Sequence, residues 1–209
     1  HGIVGAQVPI GAGIAFANKY KNNGNVCFTY FGEGAANQGQ VYETFNMASL
    51  WNLPVVFVIE NNQYAMGTSM VRASSTEEMF ARGHAFNIPG KAVNGMNVLD
   101  VAKEAAHAAN HCRAGKGPFI LEMKTYSYRG HSMSDPAKYR TREEVQKVRE
   151  EKDPIDMLRS TLIEKYKISE KQFKATDAEI KVIVTEASDF ALNSPEPDIE
   201  ELWTDVYAG

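Results

Sequence analysis

Positive charge is in short supply in this sequence. Lys and Arg number 22 against 26 Asp and Glu, leaving a net charge of −4. That balance supplies no cationic surface for nucleic acid or for an anionic membrane, and neither is expected as a partner. Long apolar runs are also missing, so no segment reaches the ~20 residues that a membrane-spanning helix needs. Cysteine is scarce. Cys27 lies in a strand-like run and Cys112 in a helix-like one, without metal-ligand spacing, and both read as buried or half-buried reduced thiols of an intracellular protein. No repeat and no low-complexity tract is visible. The sequence opens on His1-Gly2, with neither an initiating Met nor a targeting segment. A fragment is therefore expected, and a missing targeting signal carries little weight.

What is present suits one folded domain with an appendage: 209 residues, 44% hydrophobic and 23% charged. Three apolar, β-branched and aromatic runs, 26–31, 54–59 and 118–125, read as strands buried on both faces. Between them lie helical patterns over Gly39–Asn52 and Val98–Arg113. Strands alternating with helices imply an α/β fold, a mostly parallel sheet with helices on both faces. Gly5–Lys21 is rich in small residues, which predicts a buried helix packed closely on the sheet. Residues 126–140 read as a loop, and 141–209 as a charged helical tail with a start at Asp153-Pro154 and a break at Ser194–Pro197.

The most informative segment is Gly32-Glu33-Gly34-Ala35-Ala36-Asn37-Gln38-Gly39. It follows a buried strand and precedes a helix. Small residues let a ligand reach the backbone, and a helix N-terminus suits a diphosphate. Glu33 repels such a ligand unless a cation lies between them, and Mg²⁺ takes a few protein oxygens together with phosphate oxygens. A second oxygen source is Asn62, at the end of the next strand, because parallel strands gather their C-terminal ends on one edge. Either residue alone is more often a solvated loop residue or a turn former. The pair, at two strand ends, points to a site. The rival is an NAD-binding dinucleotide fold, with Gly32-x-Gly34 and Glu60 as the ribose-binding acid. Asn37 in place of the third glycine, and Glu33 itself, count against it. Gly11-Ala12-Gly13 follows Pro9 rather than a strand and is set aside.

The Gly32-Glu33-Gly34 and Asn61-Asn62 pairing resembles the thiamine diphosphate signature of transketolase-like enzymes. The wider text is more specific: HGIVGAQVPIGAGIAFA, FGEGAANQGQVYETFNMASLWNLP, IENNQYAMGTS, RGHSMSDP and YRTREE. It resembles the alpha subunits of the thiamine diphosphate-dependent 2-oxoacid dehydrogenase family, the pyruvate branch above all, across nearly the whole chain. The resemblance implies a thiamine diphosphate-binding fold and the cofactors thiamine diphosphate and Mg²⁺. It implies oxidative decarboxylation of pyruvate, with acetyl transfer to a lipoyl group of a partner acyltransferase. Glu33, the Asn62 side chain and the Tyr64 main-chain oxygen would bind the metal. Gly32, Gly34 and Ala35 would meet the diphosphate, and Gly2 and Val4 the aminopyrimidine. His131 would be the active-site histidine over the cofactor, and Ser132 a regulatory phosphosite. A beta subunit would complete the site in an assembly of two alpha and two beta chains. The compartment would be the cytoplasm in a bacterium and the mitochondrial matrix in a eukaryote.

Glu33 departs from the Asp of most such relatives and matches the branched-chain members, so a branched-chain 2-oxoacid or acetoin dehydrogenase is the near alternative. Ser132–Pro136 favours the pyruvate enzymes. A non-catalytic assembly subunit is the alternative of a different class. Asn94 and Asn97 stand where acids are expected. His84, His107 and His111 show no ligand pattern. Arg140 and Arg142 flank a helix start and read as surface charge, and Phe45, Met47 and Trp51 as core.

Overall fold

The computed structural model describes residues 2–207, and the chain divides into two compact units between Leu158 and Arg159. The first unit begins with α1 (Gln7–Tyr20), β1 (Cys27–Gly32), α2 (Gly39–Leu50) and β2 (Val55–Asn61). A small hairpin of β3 (Tyr64–Ala65) and β4 (Thr68–Ser69) follows, then the short α3 (Met70–Ala73) and a 3₁₀ segment, Met79–Phe86. β5 (Gly90–Asn94), α4 (Val98–Arg113), β6 (Phe119–Lys124) and α5 (Arg142–Lys152) complete it. The unit boundary falls within α6 (Pro154–Tyr166), and α7 (Glu170–Asn193) belongs to the second unit.

Four strands form one parallel sheet in the order β1-β2-β6-β5. The step from β1 to β2 runs one way across the sheet and the step from β5 to β6 runs the other way. Right-handed crossovers therefore put α2 and α4 on opposite faces. The side chains of β2 show the result. Val55, Phe57 and Ile59 pack in a core with Val8, Ala15, Val41 and Phe45. Val56 and Val58 pack in a second core with Ala108, Cys112 and Leu121. Both faces of β2 are covered, which is why its sequence is apolar without alternation. Each such side chain, fully buried, contributes roughly 1.5–3 kcal/mol, so these two cores fix the strand ends from which the loops project.

The expected α/β sheet with helices on both faces is present, and three of its strands lie on the three apolar runs. The fourth, β5, has no such run to mark it. It is an edge strand in which Val93 alone is buried. α1 does pack closely on the sheet. A Cβ on Gly11 would lie 2.5 Å from Cβ of Thr29. Its burial is one-sided, however: Val8, Gly11, Ala12 and Ala15 are buried, while Ile10, Ile14, Phe16 and Tyr20 are exposed. Gly11 and Gly13 thus belong to a helix, not a nucleotide loop. Asn97 is the N-cap of α4, accepting from the N–H groups of Leu99 and Asp100, and the Asn94 side chain accepts from Met96 N–H. Both asparagines have local turn-forming roles.

Candidate functional site

The C-terminal ends of β1, β2 and β6 lie side by side, with Gly32 level with Glu60 and Asn61 level with Lys124. Glu33 therefore leaves β1 directly beside the Asn61-Asn62 end of β2. Its side chain turns inward and is only 3% exposed. One carboxylate oxygen accepts from Asn62 N–H at 3.4 Å, and the other is buried without any hydrogen-bond partner. Burial raises the pKa of this carboxyl. The N–H groups of Glu33 and Asn62 pull it back, and the charge of Glu60 pushes it up again. A carboxylate removed from water with an idle oxygen is costly unless a cation or a proton meets it.

The neighbouring oxygens fit a hard cation. Asn62 accepts from Tyr64 N–H at 3.1 Å, an Asx turn that brings residue 64 back toward Asn62. An amide oxygen carries two lone pairs, so one remains for another donor or a metal. No group of three or more His, Cys, Asp or Glu that could hold a metal ion exists among the described residues. One carboxylate with neutral amide and carbonyl oxygens is a set that suits Mg²⁺ better than a softer metal.

The rest of the loop is held from several sides. A Cβ on Gly34 would lie 2.5 Å from Cβ of Ala65, so this glycine lets the β3–β4 hairpin close onto the loop. A Cβ on Gly32 would meet open space. Ala35 and Ala36 are buried in a 3₁₀ turn, Ala35–Asn37, that separates the loop from α2. Gly2 and Val4 are exposed, but the Val4 carbonyl accepts from Gln40 Nε2 at 3.0 Å. That bond ties the N-terminal segment to the start of α2.

Two supporting groups were missed by sequence reasoning. Arg82 donates from one guanidinium nitrogen to the Ala36 carbonyl at 3.1 Å, the Asn37 side chain at 2.9 Å and the Tyr42 hydroxyl at 3.0 Å. Nothing in its local sequence distinguishes it from surface charge. Glu122, in the middle of β6, is fully buried. It accepts from Asn61 Nδ2 at 2.7 Å and from Phe80 N–H at 3.2 Å. Here a signal existed: a lone carboxylate inside the apolar run Phe-Ile-Leu-Glu-Met.

His131 lies on the loop that leaves β6, and β6 is parallel to β2 as expected. The loop is organised by Asp135, whose carboxylate accepts from His131 N–H and Ala137 N–H, both at 2.8 Å, and from the Tyr139 hydroxyl at 3.0 Å. These bonds, the His131 N–H first, hold its pKa below the usual aspartate range. A Cβ on Gly130 would come within 2.9 Å of the Asp135 side chain, which explains that glycine. The imidazole of His131 and the hydroxyl of Ser132 are on exposed residues. Beyond them Arg140, expected as surface charge, is half-buried. It stacks near the rings of Tyr64, Tyr126 and Tyr139 at 5.3–5.8 Å and donates to the Ser127 carbonyl. Tyr64 and Tyr126 both reach Glu144 of α5.

The remaining candidates are structural. His107 and His111 pack edge-on against Phe119. Phe45 is core, while Met47 and Trp51 are 45% and 42% exposed. Cys27 and Cys112 are free thiols, and burial pushes the Cys112 thiol up to about 12.

Comparison with known proteins identifies the family. The chain is 58% identical over 206 residues to the pyruvate dehydrogenase E1 component subunit alpha of Rhizobium meliloti, covering 99% of this chain and 59% of the relative. It is 55% identical over 209 residues to the Zymomonas mobilis subunit of the same name, covering 100% and 59%. It is 50% identical over 209 residues to the human testis-specific mitochondrial form, covering 100% and 53%. The chain thus spans somewhat over half the length of these relatives. Residues 1–200 match the family described as dehydrogenase E1 component, and with a buried acid and an Asn-Asn turn meeting at its strand ends, the chain belongs to that family.

Proposed function

We propose that this chain is the cofactor-binding part of the alpha subunit of a pyruvate dehydrogenase. The observation that carries the reading is the buried Glu33 carboxylate, one oxygen on Asn62 N–H and the other unpartnered. The family is thiamine diphosphate-dependent, and a diphosphate beside Glu33 needs a cation between them. Glu33, Asn62 and the Tyr64 carbonyl hold Mg²⁺. The backbone of Gly32, Gly34 and Ala35 meets the diphosphate, and Gly2 and Val4 meet the aminopyrimidine. When bound, thiamine diphosphate supplies the electron sink for decarboxylation. His131, on its Asp135-organised loop, steadies the charged diphosphate and assists acetyl transfer to a lipoyl group of the acyltransferase partner. A beta subunit closes the open side of the site. Phosphate on Ser132 adds roughly −1.5 to −2 charges beside an anionic cofactor, and so opposes substrate entry.

Glu33 in place of Asp favours one second reading, a branched-chain 2-oxoacid or acetoin dehydrogenase. The test pairs the chain with a beta subunit and compares turnover of pyruvate, acetoin and branched 2-oxoacids, alongside calorimetry with thiamine diphosphate with and without Mg²⁺. Preferred turnover of pyruvate and Mg²⁺-dependent binding support the proposal. Preferred turnover of a branched 2-oxoacid or of acetoin moves it to the second reading. Cofactor binding without turnover, or tight NAD binding, removes it.

A further inference from the structure

The turn that carries Asn62 and Tyr64 pivots on Gln63, whose φ is +77°. A side chain in that left-handed region is strained and persists only where its surroundings fix it. The fixing group is Asn61, fully buried. Its side-chain oxygen accepts from Gln63 N–H at 3.2 Å and from Gln63 Nε2 at 3.1 Å. Asn61 is in turn fixed by Glu122, which accepts from its Nδ2 at 2.7 Å and spends its other oxygen on Phe80 N–H. Both partners are neutral. A carboxylate buried in mid-strand with only neutral donors is less stable there than an apolar residue, and its neighbours Leu121 and Met123 are such residues. One of its bonds begins a line from β6 through Asn61 to the turn, and the other anchors the carboxylate on the 3₁₀ segment at Phe80.

We propose that Glu122 is a positioning residue for the metal site. It holds Asn61, Asn61 holds Gln63 left-handed, and Gln63 sets the placement of Asn62 and Tyr64. The proposal rests on the metal role given to those two residues above.

The chemistry supplies a reciprocal test. In Glu122→Gln one acceptor becomes a donor and faces either Asn61 Nδ2 or Phe80 N–H. Flipping the Asn61 amide only moves the clash to Gln63. Adding Asn61→Asp restores these bonds with one direction reversed. The amide nitrogen introduced on β6 then donates to the carboxylate introduced on β2, and the amide oxygen accepts from Phe80 N–H. The other oxygen of that carboxylate still accepts from Gln63. Only the bond from Asn61 Nδ2 to the Met70 sulfur, a weak acceptor, has no counterpart in the double variant.

The experiment uses the reconstituted alpha–beta enzyme. It measures the Mg²⁺ concentration for half-maximal thiamine diphosphate binding by calorimetry, and Tm separately. Glu122→Gln should raise that concentration about tenfold, the scale of one buried donor or acceptor left unsatisfied. The Asn61→Asp, Glu122→Gln pair should return it to within about threefold of the parent. Gln63→Met, outside the core, should raise it about threefold even if the Glu122 single variant fails to fold. Unchanged Mg²⁺ dependence in every variant that folds overturns the proposal, whatever happens to Tm, and so does a double variant no better than the single one. Glu33→Ala is the control. If it too leaves Mg²⁺ dependence unchanged, the metal site itself is wrong. If it abolishes binding while the Glu122 and Gln63 variants do nothing, only the positioning role is wrong.

Discussion

Two kinds of segment flank the candidate site and are held in opposite ways. The Gly32–Gly39 loop and the Asn61–Tyr64 turn are fixed from outside themselves. Arg82 grips Ala36 and Asn37, Ala65 packs on Gly34, and Glu122 grips Asn61 from the next strand. The loop around His131 is fixed from within, by one carboxylate four residues downstream. The first arrangement suits a group that must stay put through every turnover. The second leaves a histidine exposed and dependent on a short-range tie, which suits a group that must meet a large partner and then let it go. The two are coupled where the rings of Tyr64 and Tyr139 lie 5.2 Å apart.

The largest way to break this contrast is Glu33→Ala. Loss of a proposed direct ligand should exceed the roughly 10–100-fold that removing an outer partner costs, so Mg²⁺-dependent thiamine diphosphate binding should vanish in calorimetry, whereas Glu33→Asp should keep or improve it. Retained binding in the alanine variant would end the metal assignment. Next in size is the other loop. Asp135→Ala releases three bonds at once, and overall turnover should fall about ten- to a hundredfold, the scale of a 1 Å misplacement. Cofactor binding should change less, by no more than about threefold, since only the Tyr139 ring connects the Asp135 bonds to Tyr64. A parallel loss of binding would show that the Tyr64–Tyr139 contact couples the two loops tightly. A smaller effect is expected of Arg82→Met, which keeps the stem but removes the grip on Ala36 and Asn37. Cofactor affinity should drop about three- to tenfold, measured by titration, and an unchanged value would reduce Arg82 to surface charge.

The smallest effect concerns pH. Hydrogen bonds hold the Asp135 carboxyl below the usual aspartate range. A depressed acid gives its full contribution above the ordinary value, near ~3.9, and loses it as pH falls through the folded value. Hydrogen exchange at His131 and Ala137 N–H, corrected for intrinsic rates, should therefore show flat protection from about pH 8 to about pH 5. Protection lost within that window would contradict the assigned tie.

The double-faced strands are legible in the sequence because a strand covered on both sides has no choice but to be apolar, as Val55–Ile59 is. Edge strand β5 is hidden because covering one edge residue, Val93, leaves no pattern to read. Glu33 and Asn62 are found together because strand-end adjacency follows from parallel topology. The roles of Arg82 and Glu122 are not, since their partners lie forty or more residues away in sequence and only folding reveals them. Arg140 passes for surface charge for a different reason. Its tyrosine partners come from a hairpin and a loop that periodicity does not bring together.

The strand order has a consequence for the chain as it leaves the ribosome. β2 can pair with β1 at once, but its other edge waits for β6, roughly sixty residues later. During that interval an apolar strand with an open edge is exposed, and contacts of such long sequence separation form slowly. Asn61 waits too, because Glu122 has not yet been made. The candidate metal site is therefore assembled only when the nascent sheet closes, and the unprotected edge of β2 is where a chaperone would have most to shield.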